Sequence, residues 1–475
     1  MSFSKLSTEL DTKILEYLHD DRPSLTAMSM VSKYFRRITE PILYRDLCFP
    51  EMTTIQMKQL LTIVLLRPQL AKHVRSFTMV PKRRNPLDRT DNTPSKEEME
   101  AWNNLHQANY PALFALSQKL KTFRLNPQFV QIWFIHILDC AFSHYLASRD
   151  PFLDPFLAVF LILTTNIETI NLTATLGESL RKCRAILSIP WSGYPVDGTQ
   201  QEKEPFNKLS DLCIAEDSFW ENLYDRSFDV SIPSRVKRLR LPGWDMSALH
   251  MQGETMLALQ HLDLRHVTVS PADLVQCLRT GQLANLRHLN LDGVEERVDP
   301  AHGGHLDITI LSRGLAQHTP SLEVLEMRET AYSVVYCFNI GSLVELTRLH
   351  TLRIDIIHLV LAGGSGYDDP IDPHRILPAS LRHLELTELQ AEDVNQYCEE
   401  AGNDEIRPNH TQFIVNTVRT FSLLESLRIH VFIYGYNAPH RTISKVLSKA
   451  SVDLLLGLER KGGERELEIG IHSLP

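Results

Sequence analysis

Paired cysteines, a signal core, a dominant charge and a long unbroken apolar run are all missing from this sequence, and each absence removes a class of protein. The seven cysteines (Cys48, Cys140, Cys183, Cys213, Cys277, Cys337, Cys398) are scattered, odd in number and free of any CxxC pair. That usage fits free thiols in a reducing compartment, not a disulfide framework. The N-terminus, MSFSKLSTELD, meets charge almost at once and has no apolar signal core. A formal charge of −9, from 58 acidic and 49 basic side chains, argues against non-specific binding to nucleic acid or anionic membrane. Two apolar stretches stand out, 129–146 and 156–163. The first carries His136, Asp139 and His144, and the second falls well short of the roughly 20 residues a membrane span needs, so both read as buried helix. A cytoplasmic or nuclear protein with neither membrane nor nucleic-acid partner is expected.

Catalytic signatures are equally scarce. No GxSxG or HExxH occurs, and GGSG at 363–366 has no following Lys-Ser/Thr, so it is no phosphate loop. His302 and His305, with Asp299 and Asp307 nearby, sit in a glycine-bearing loop with no helix to fix ligand geometry, and solvated histidines are the better reading. The basic cluster at 82–84 reads as a solvated loop. The lone cysteines lie mostly in apolar segments, where burial explains them better than nucleophilic catalysis. The expectation is therefore a protein that is not an enzyme, with no catalytic residue, no metal and no cofactor.

What is there is core material and pattern. Hydrophobic residues make up 43% and charged residues 23%, over 475 positions, which is too long for one compact core and suits several domains or a repeat array. In LSTELDTKILEYL, Leu6, Leu10, Ile14 and Leu18 recur at four-residue steps with Leu15 alongside, one apolar helical stripe. Ser7 or Thr8 can cap it, with Glu9 and Asp11 near the positive end of the dipole. HDDRP breaks that helix. A second helix is expected through SLTAMSMVSKYFRRI, with Leu25, Met28, Val31, Phe35 and Ile38 inward, and a third short element from Pro41 through EPILYRDLCF. Three helices in so few residues cannot bury all this apolar surface alone, so a partner or the rest of the chain covers part of it.

This stretch, LSTELDTKILEYLHDDRPSLTAMSMVSKYFRRITEPILYRDLCF, resembles the F-box, especially the variant common in fungal proteins. The carrying features are the Leu-x-x-Glu-Leu start, the Ile-Leu-x-x-Leu run and Ser-Leu after a charged turn, then Val-Ser-Lys-x-Phe-Arg-Arg and the closing Leu-Tyr-Arg-Asp-Leu. The family usually begins Leu-Pro, and Ser7 stands where that proline would be. The resemblance implies docking on the Skp-type adaptor of a cullin–RING ubiquitin ligase. Leu6, Leu10, Ile14, Leu15 and Leu18 would supply first-helix contacts, and Leu25, Val31 and Phe35 second-helix contacts or core.

Beyond residue 70 one phrase returns: apolar, two residues, apolar, one residue, apolar. It reads VRSFTM from Val74, LKTFRL from Leu120, IETINL from Ile167, LSDLCI from Leu209 and VKRLRL from Val236. It continues as LQHLDL from Leu259, LRHLNL from Leu286, LEVLEM from Leu322, LHTLRI from Leu349, LRHLEL from Leu381 and LESLRI from Leu424, with a degenerate ERELEI ending at Ile469. The last two apolar positions of each copy predict a short strand with one buried face. Helix-like segments lie between copies, SPADLVQCLRT and TISKVLSKASVDLLLGLERKGG among them. Strand–helix units stacked in parallel are the leucine-rich-repeat solution. The spacing resembles the F-box/leucine-rich-repeat proteins, although Val267, Val294, Ile357 and Leu389 stand where the family's ladder has Asn or Cys.

The expected fold is thus α/β: an F-box-like helical module at 1–50, a connecting helix at 51–72, and an irregular leucine-rich-repeat solenoid at 73–475, a horseshoe with parallel concave strands. Charged, proline-bearing inserts interrupt it at 81–100 and 361–375. Aligning the copies sorts the concave polar residues into columns. One reads Arg240, Asp263, Asn290, Glu326, Arg353, Glu385, Arg428, Glu468, and its neighbour holds Arg265, Asp292, Arg328, Asp355. Parallel strands lie about 4.8 Å apart, so these alternating signs can neutralise one another. A further column, Arg238, His261, His288, Val324, Thr351 and His383, lacks such pairing and is the candidate client-binding surface. The function expected is a non-catalytic substrate receptor of a cullin–RING ligase that holds a client protein near the conjugating enzyme. The alternative is a repeat scaffold uncoupled from ubiquitination.

Overall fold

A computed structural model describes residues 7–81, 153–174, 206–216, 235–243, 257–265, 271–280, 283–292, 309–327, 341–355, 372–391, 423–434 and 466–473, with isolated positions between them. The chain divides into two compact units, Met1–Glu221 with Val230–Val236, and Asn222–Asp229 with Lys237–Pro475. The repeat copy at Leu120, the apolar stretch 129–146, His302 and His305, and the helix-like segment before Gly462 lie outside the described residues.

The first unit opens with three helices. Helix α1 (Thr8–Glu16) is capped by Ser7, whose side chain accepts from the Leu10 amide. Helix α2 (Arg22–Val31) starts at Asp21, which takes the Ser24 amide, with Pro23 in the first turn where its missing N–H costs nothing. The single second helix expected from the sequence is two. The chain extends at Ser32, whose hydroxyl accepts from the Phe35 amide at 3.1 Å, and α3 (Lys33–Leu43) begins anew. A serine's competition for backbone donors is the physical reason for the break. Pro41 lies inside α3 instead of starting a third element. Leu15, Leu25, Ile38 and Ile42 form the core of this trio, with Leu18, Met28, Tyr34, Phe35 and Leu43 packed on it.

The sheet then begins earlier than the repeat pattern suggests. Strand β1 (Asp46–Met52) pairs in parallel with β2 (Ser76–Pro81). The crossover between them is α4 (Thr54–Leu66) and the short α5 (Pro68–Ala71), in place of one connecting helix. Thr53 and Gln56 close a reciprocal capping box on α4. Strands β3 (Thr169–Ala174) and β4 (Asp211–Glu216) extend the sheet, each parallel to its predecessor. Helix α6 (Leu153–Leu163) holds the apolar stretch 156–163, which is buried. Phe160 meets Phe77 of β2 at 5.0 Å, and Phe77 in turn meets Phe49 of β1. Among the described residues no helix is long and apolar enough to cross a membrane.

The second unit carries β5 (Arg238–Arg240), β6 (His261–Asp263), β7 (His288–Asn290), β8 (Val324–Met327), β9 (Thr351–Asp355), β10 (His383–Ala391), β11 (Ser426–Tyr434) and β12 (Glu466–Ser473). Each strand pairs in parallel with the next, without a shift of register. Every repeat copy within the described residues is therefore a strand. The phrase works because its three apolar positions all go inward: Leu259, Leu262 and Leu264 are fully buried, as are Leu349, Leu352 and Ile354. The first leucine is placed by a tight turn, Leu286 amide to Leu283 carbonyl, Leu322 to Thr319, Leu349 to Leu346, Leu381 to Pro378, all at 2.9–3.1 Å. The residue just before each strand then offers one carbonyl to two successive amides of the following repeat. Lys237, Gln260, Arg287, Glu323, His350 and Arg382 all do this, at 2.7–3.1 Å. Buried threonines (Thr319, Thr417) satisfy their hydroxyls by donating to the carbonyls of Leu315 and Phe413, four residues back.

Helices α7 (Pro271–Thr280) and α8 (Thr309–His318) pack against each other at a close approach. A Cβ at Gly314 would lie 2.5 Å from Val275 Cγ2 and 2.8 Å from Cγ1. Replacing a helical glycine by alanine normally gains about 1 kcal/mol, whereas overpacking costs about 1–3. Gly314→Ala is expected to lower the thermal midpoint despite its better propensity, and adding Val275→Ala should recover part of the loss. Thermal melts of the two variants check this; a Gly314→Ala protein that melts above the parent would contradict the close packing.

Candidate functional site

The residues singled out in the sequence fall on two surfaces, one in each unit. In the first, the trio of helices sorts its apolar residues cleanly. Leu15 and Leu25 are 3% and 1% exposed and belong to the core, so neither side chain is presented at the surface. Leu18 and Phe35 are partly buried against the same core. Leu10 and Ile14 stand 50% and 47% exposed on α1. Val31, expected inward, is exposed at the end of α2, because the break at Ser32 turns it away from the core. Leu6 lies outside the described residues.

Tyr17 and Met30 were missed by sequence reasoning, and both are strongly exposed. Leu10, Ile14 and Tyr17 fall at i, i+4 and i+7, the spacing that puts three side chains on one helix face, and that spacing was the available signal. Behind this face the trio is braced by polar contacts. Asp11 is buried and accepts a hydrogen bond from Tyr34 Oη, so its carboxylate is satisfied inside the core; the bond pushes the Tyr34 phenol pKa up. Arg67 at the end of α4 grips both carboxylate oxygens of Glu40 on α3, at 2.6 and 2.7 Å. Ser7 sits at φ −70°, a value that proline shares, so the serine supplies a cap without altering the approach of the chain.

In the second unit the strand pairing places Arg238, His261, His288, Val324, Thr351 and His383 in one continuous register. The charged column runs beside it in the same register, from Arg240 to Glu468. Arg353 stands between two carboxylates, 2.9 Å from Glu326 Oε1 and 3.2 Å from Glu385 Oε2. Arg265 binds Asp263 through two nitrogens. These acids are far from solvent: the Asp263, Glu326 and Glu385 side chains are 5%, 8% and 15% exposed. The ladder is therefore more buried than a surface charge ladder, which alternation of sign alone could not reveal.

The histidine column is not free of pairing. His288 Nε2 lies 3.1 Å from Glu326 Oε1, an ion-pair distance whose angle falls outside hydrogen-bond geometry. The His261 and His288 rings face each other with centroids 4.1 Å apart. His383 contacts Ser426 Oγ through Nδ1 and approaches Glu425 through Nε2. Burial, then His288, push the His261 pKa below the ordinary imidazole range, with Arg238 and Arg240 adding to this and Asp263 opposing it. One further row went unread: Arg287–Glu323 and Arg382–Glu425, with His350 at 4.0 Å from Glu323, pair along the residues that precede the strands. Burial drives the Cys277 thiol up to about 12, which keeps it protonated near neutral pH, and Cys183 and Cys213 are buried too. Among the described residues no cluster of three or more His, Cys, Asp or Glu could hold a metal.

Residues 3–80 match the family model of the COS11 F-box domain, a span that takes in the three helices, both short crossover helices and the first two strands. No curated protein matches the chain.

Two predictions follow from the strand face. Arg353→Ala leaves two largely buried carboxylates facing each other, so the loss should exceed that of an exposed pair and reach about 1–3 kcal/mol. Adding Glu326→Gln to Arg353→Ala should restore part of it, as read by chemical denaturation. For His261, the folded state favours the neutral ring more than the unfolded chain does. Stability is therefore retained above the unfolded value of about 6.5 and falls as pH drops below it towards the lower folded pKa. His261→Ala should make the melting midpoint less sensitive to acidification below about pH 6.5 than in the parent; an equal slope in both would show that His261 does not titrate in this way.

Proposed function

We propose that this protein is a client receptor of an SCF-type cullin–RING ubiquitin ligase. Its N-terminal module docks on a Skp-type adaptor, and a leucine-rich-repeat array presents a client protein from its polar strand face. The observation that carries the reading is the Leu10–Ile14–Tyr17 stripe, held out from a module whose own core is closed by Leu15, Leu25, Ile38 and Ile42. Exposed apolar side chains on a short, well-capped helix are what a partner interface requires, and the F-box domain match supplies the class of partner. Leu10, Ile14 and Val31 then touch the adaptor, joined by Tyr17 and Met30, while Leu15, Leu18, Leu25 and Phe35 hold the face in shape.

The in-register copies of the apolar phrase support the leucine-rich-repeat reading, and the column Arg238, His261, His288, Val324, Thr351 and His383 is the client surface it offers. Such a receptor does no chemistry. It raises the local concentration of client beside the conjugating enzyme, and effective molarity supplies the rate. The scaffold alternative drew on Ser7 in place of proline, and a serine that caps α1 at a proline-like φ weakens that motive.

Ile14→Asp puts a charge into the centre of the stripe without touching the core. It is expected to abolish capture of the adaptor while leaving the thermal melt within about 1 kcal/mol of the parent, since surface substitutions seldom cost more. Leu15→Asp, one position on, should instead unfold the module. Adaptor pulled down at parental level by a folded Ile14→Asp protein would sink the ligase reading.

A further inference from the structure

The N-terminal trio carries three cations that its own folding does not explain. Helix α3 starts at Lys33, with Arg36 and Arg37 three and four positions on, so the three share one helix face, and all are exposed. The first turn of a helix favours carboxylates, because its unpaired amides carry partial positive charge. Helix α1 follows that rule with Glu9 and Asp11, whereas α3 has no acid there. Lys33 and Arg36 therefore work against the helix they open.

Neighbouring acids do not compensate them. Glu40 lies four positions after Arg36 and three after Arg37, but both of its oxygens are held by Arg67. Among the described residues no carboxylate lies within ion-pair distance of Lys33, Arg36 or Arg37. Arg37 stands over the Tyr34 ring at 6.0 Å. The exposed acids of the trio lie elsewhere, Glu9 and Glu16 on α1, and Asp20 and Asp21 in the turn before α2. Solubility is no reason for the cations either. In a chain with 58 acidic and 49 basic side chains, acids at the same positions would be solvated as well and would also stabilise α3. The surroundings in the chain do mark the place. Met30 and Val31, exposed 70% and 66%, end α2, and only Ser32 separates them from Lys33. The cations thus adjoin apolar residues assigned above to adaptor contact, as a polar rim adjoins the apolar centre of an interface.

We infer that Lys33 and Arg36, with Arg37 beside them, form an electropositive rim of the adaptor-docking face, and that the adaptor surface received at the α2–α3 junction carries acidic side chains. The inference rests on the ligase reading above and adds the chemistry the partner presents and the step of binding it governs. Rim charges act mainly on encounter, steering the approach and setting its salt dependence, while the apolar centre governs how long the complex lasts.

The test is association kinetics of the full-length chain on immobilised, purified Skp-type adaptor over a range of ionic strength. At about 0.01 M salt charges are felt over about 30 Å, and at about 1 M over about 3 Å, so steering is present at one end and screened at the other. The parent's association rate should fall about tenfold or more across that range, with little change in dissociation. Lys33→Glu/Arg36→Glu should associate about tenfold more slowly at low salt and lose the salt dependence. Its thermal midpoint should be no lower than the parent's, since carboxylates suit the first turn; a merely structural role would lower stability and binding together. Lys33→Gln/Arg36→Gln should be intermediate, and it carries no carboxylate that could repel Glu40. Lys72→Glu/Lys237→Glu makes the same change in net charge at exposed positions outside the trio and should alter the kinetics far less. Parental kinetics in Lys33→Glu/Arg36→Glu, or equal slowing by Lys72→Glu/Lys237→Glu, overturns the inference and leaves the ligase reading, which Ile14→Asp tests, standing. Unchanged adaptor kinetics beside lost retention on duplex DNA or anionic vesicles would assign the cations to another partner and overturns it too. A parent chain that does not bind the adaptor sinks both readings.

Discussion

A parallel strand finds no hydrogen-bonding partner inside its own repeat, so each repeat here hands its backbone groups to the next. The bond that sets this relationship is the forked one at the strand entrance, where a single carbonyl accepts two successive amides from the following copy. Lys237, Gln260, Arg287, Glu323, His350 and Arg382 repeat it along the second unit, and Arg75 and Glu168 do the same in the first. A carbonyl held by two donors leaves no room for a one-residue slip, and a slip would carry the leucines to the wrong face. Register, and with it every side-chain column, depends on that contact.

The consequences differ between the two faces of the strands. On the inner face the leucines are interchangeable, and their burial tolerates sequence drift as long as apolar bulk is kept. On the other face the columns bring like positions together, so the identity of each neighbour matters. Glu326 is the clearest case: it takes Arg353 from one neighbouring strand and approaches His288 of the other. A carboxylate so withdrawn from water is tolerable because the Arg353 guanidinium pairs with it. This couples electrostatics to array order, since moving any one repeat would strand a buried charge.

The N-terminal module solves a different problem, keeping an apolar stripe exposed without collapsing around it. Short helices are marginal alone, and here the starts of α1 to α4 are each capped by a side chain: Ser7, Asp21, Ser32 and Thr53. The Asp11–Tyr34 bond and the Arg67–Glu40 fork add directional contacts that a purely apolar core would lack. Rigidity of this kind lowers the ordering cost of meeting a partner.

Much of this was legible in the sequence alone. The stripe Leu10–Ile14, the caps, and the strand at every described copy of the apolar phrase follow from local periodicity, which reports the side a residue faces without reference to the rest of the chain. The columns were legible too, because equal spacing from a shared motif guarantees equal depth in the stack. The tertiary structure alone decided which apolar residues of the module are core and which are face. Leu15 and Ile14 are adjacent and chemically alike, and only the packing of α3 against α1 separates them. It alone decided that Ser32 ends one helix and starts another, that the sheet begins at Asp46, and that the acids of the strand face lie buried. Sign alternation in a column is a property of the sequence, but the dielectric around each charge is set by what packs beside it, and no linear pattern carries that information.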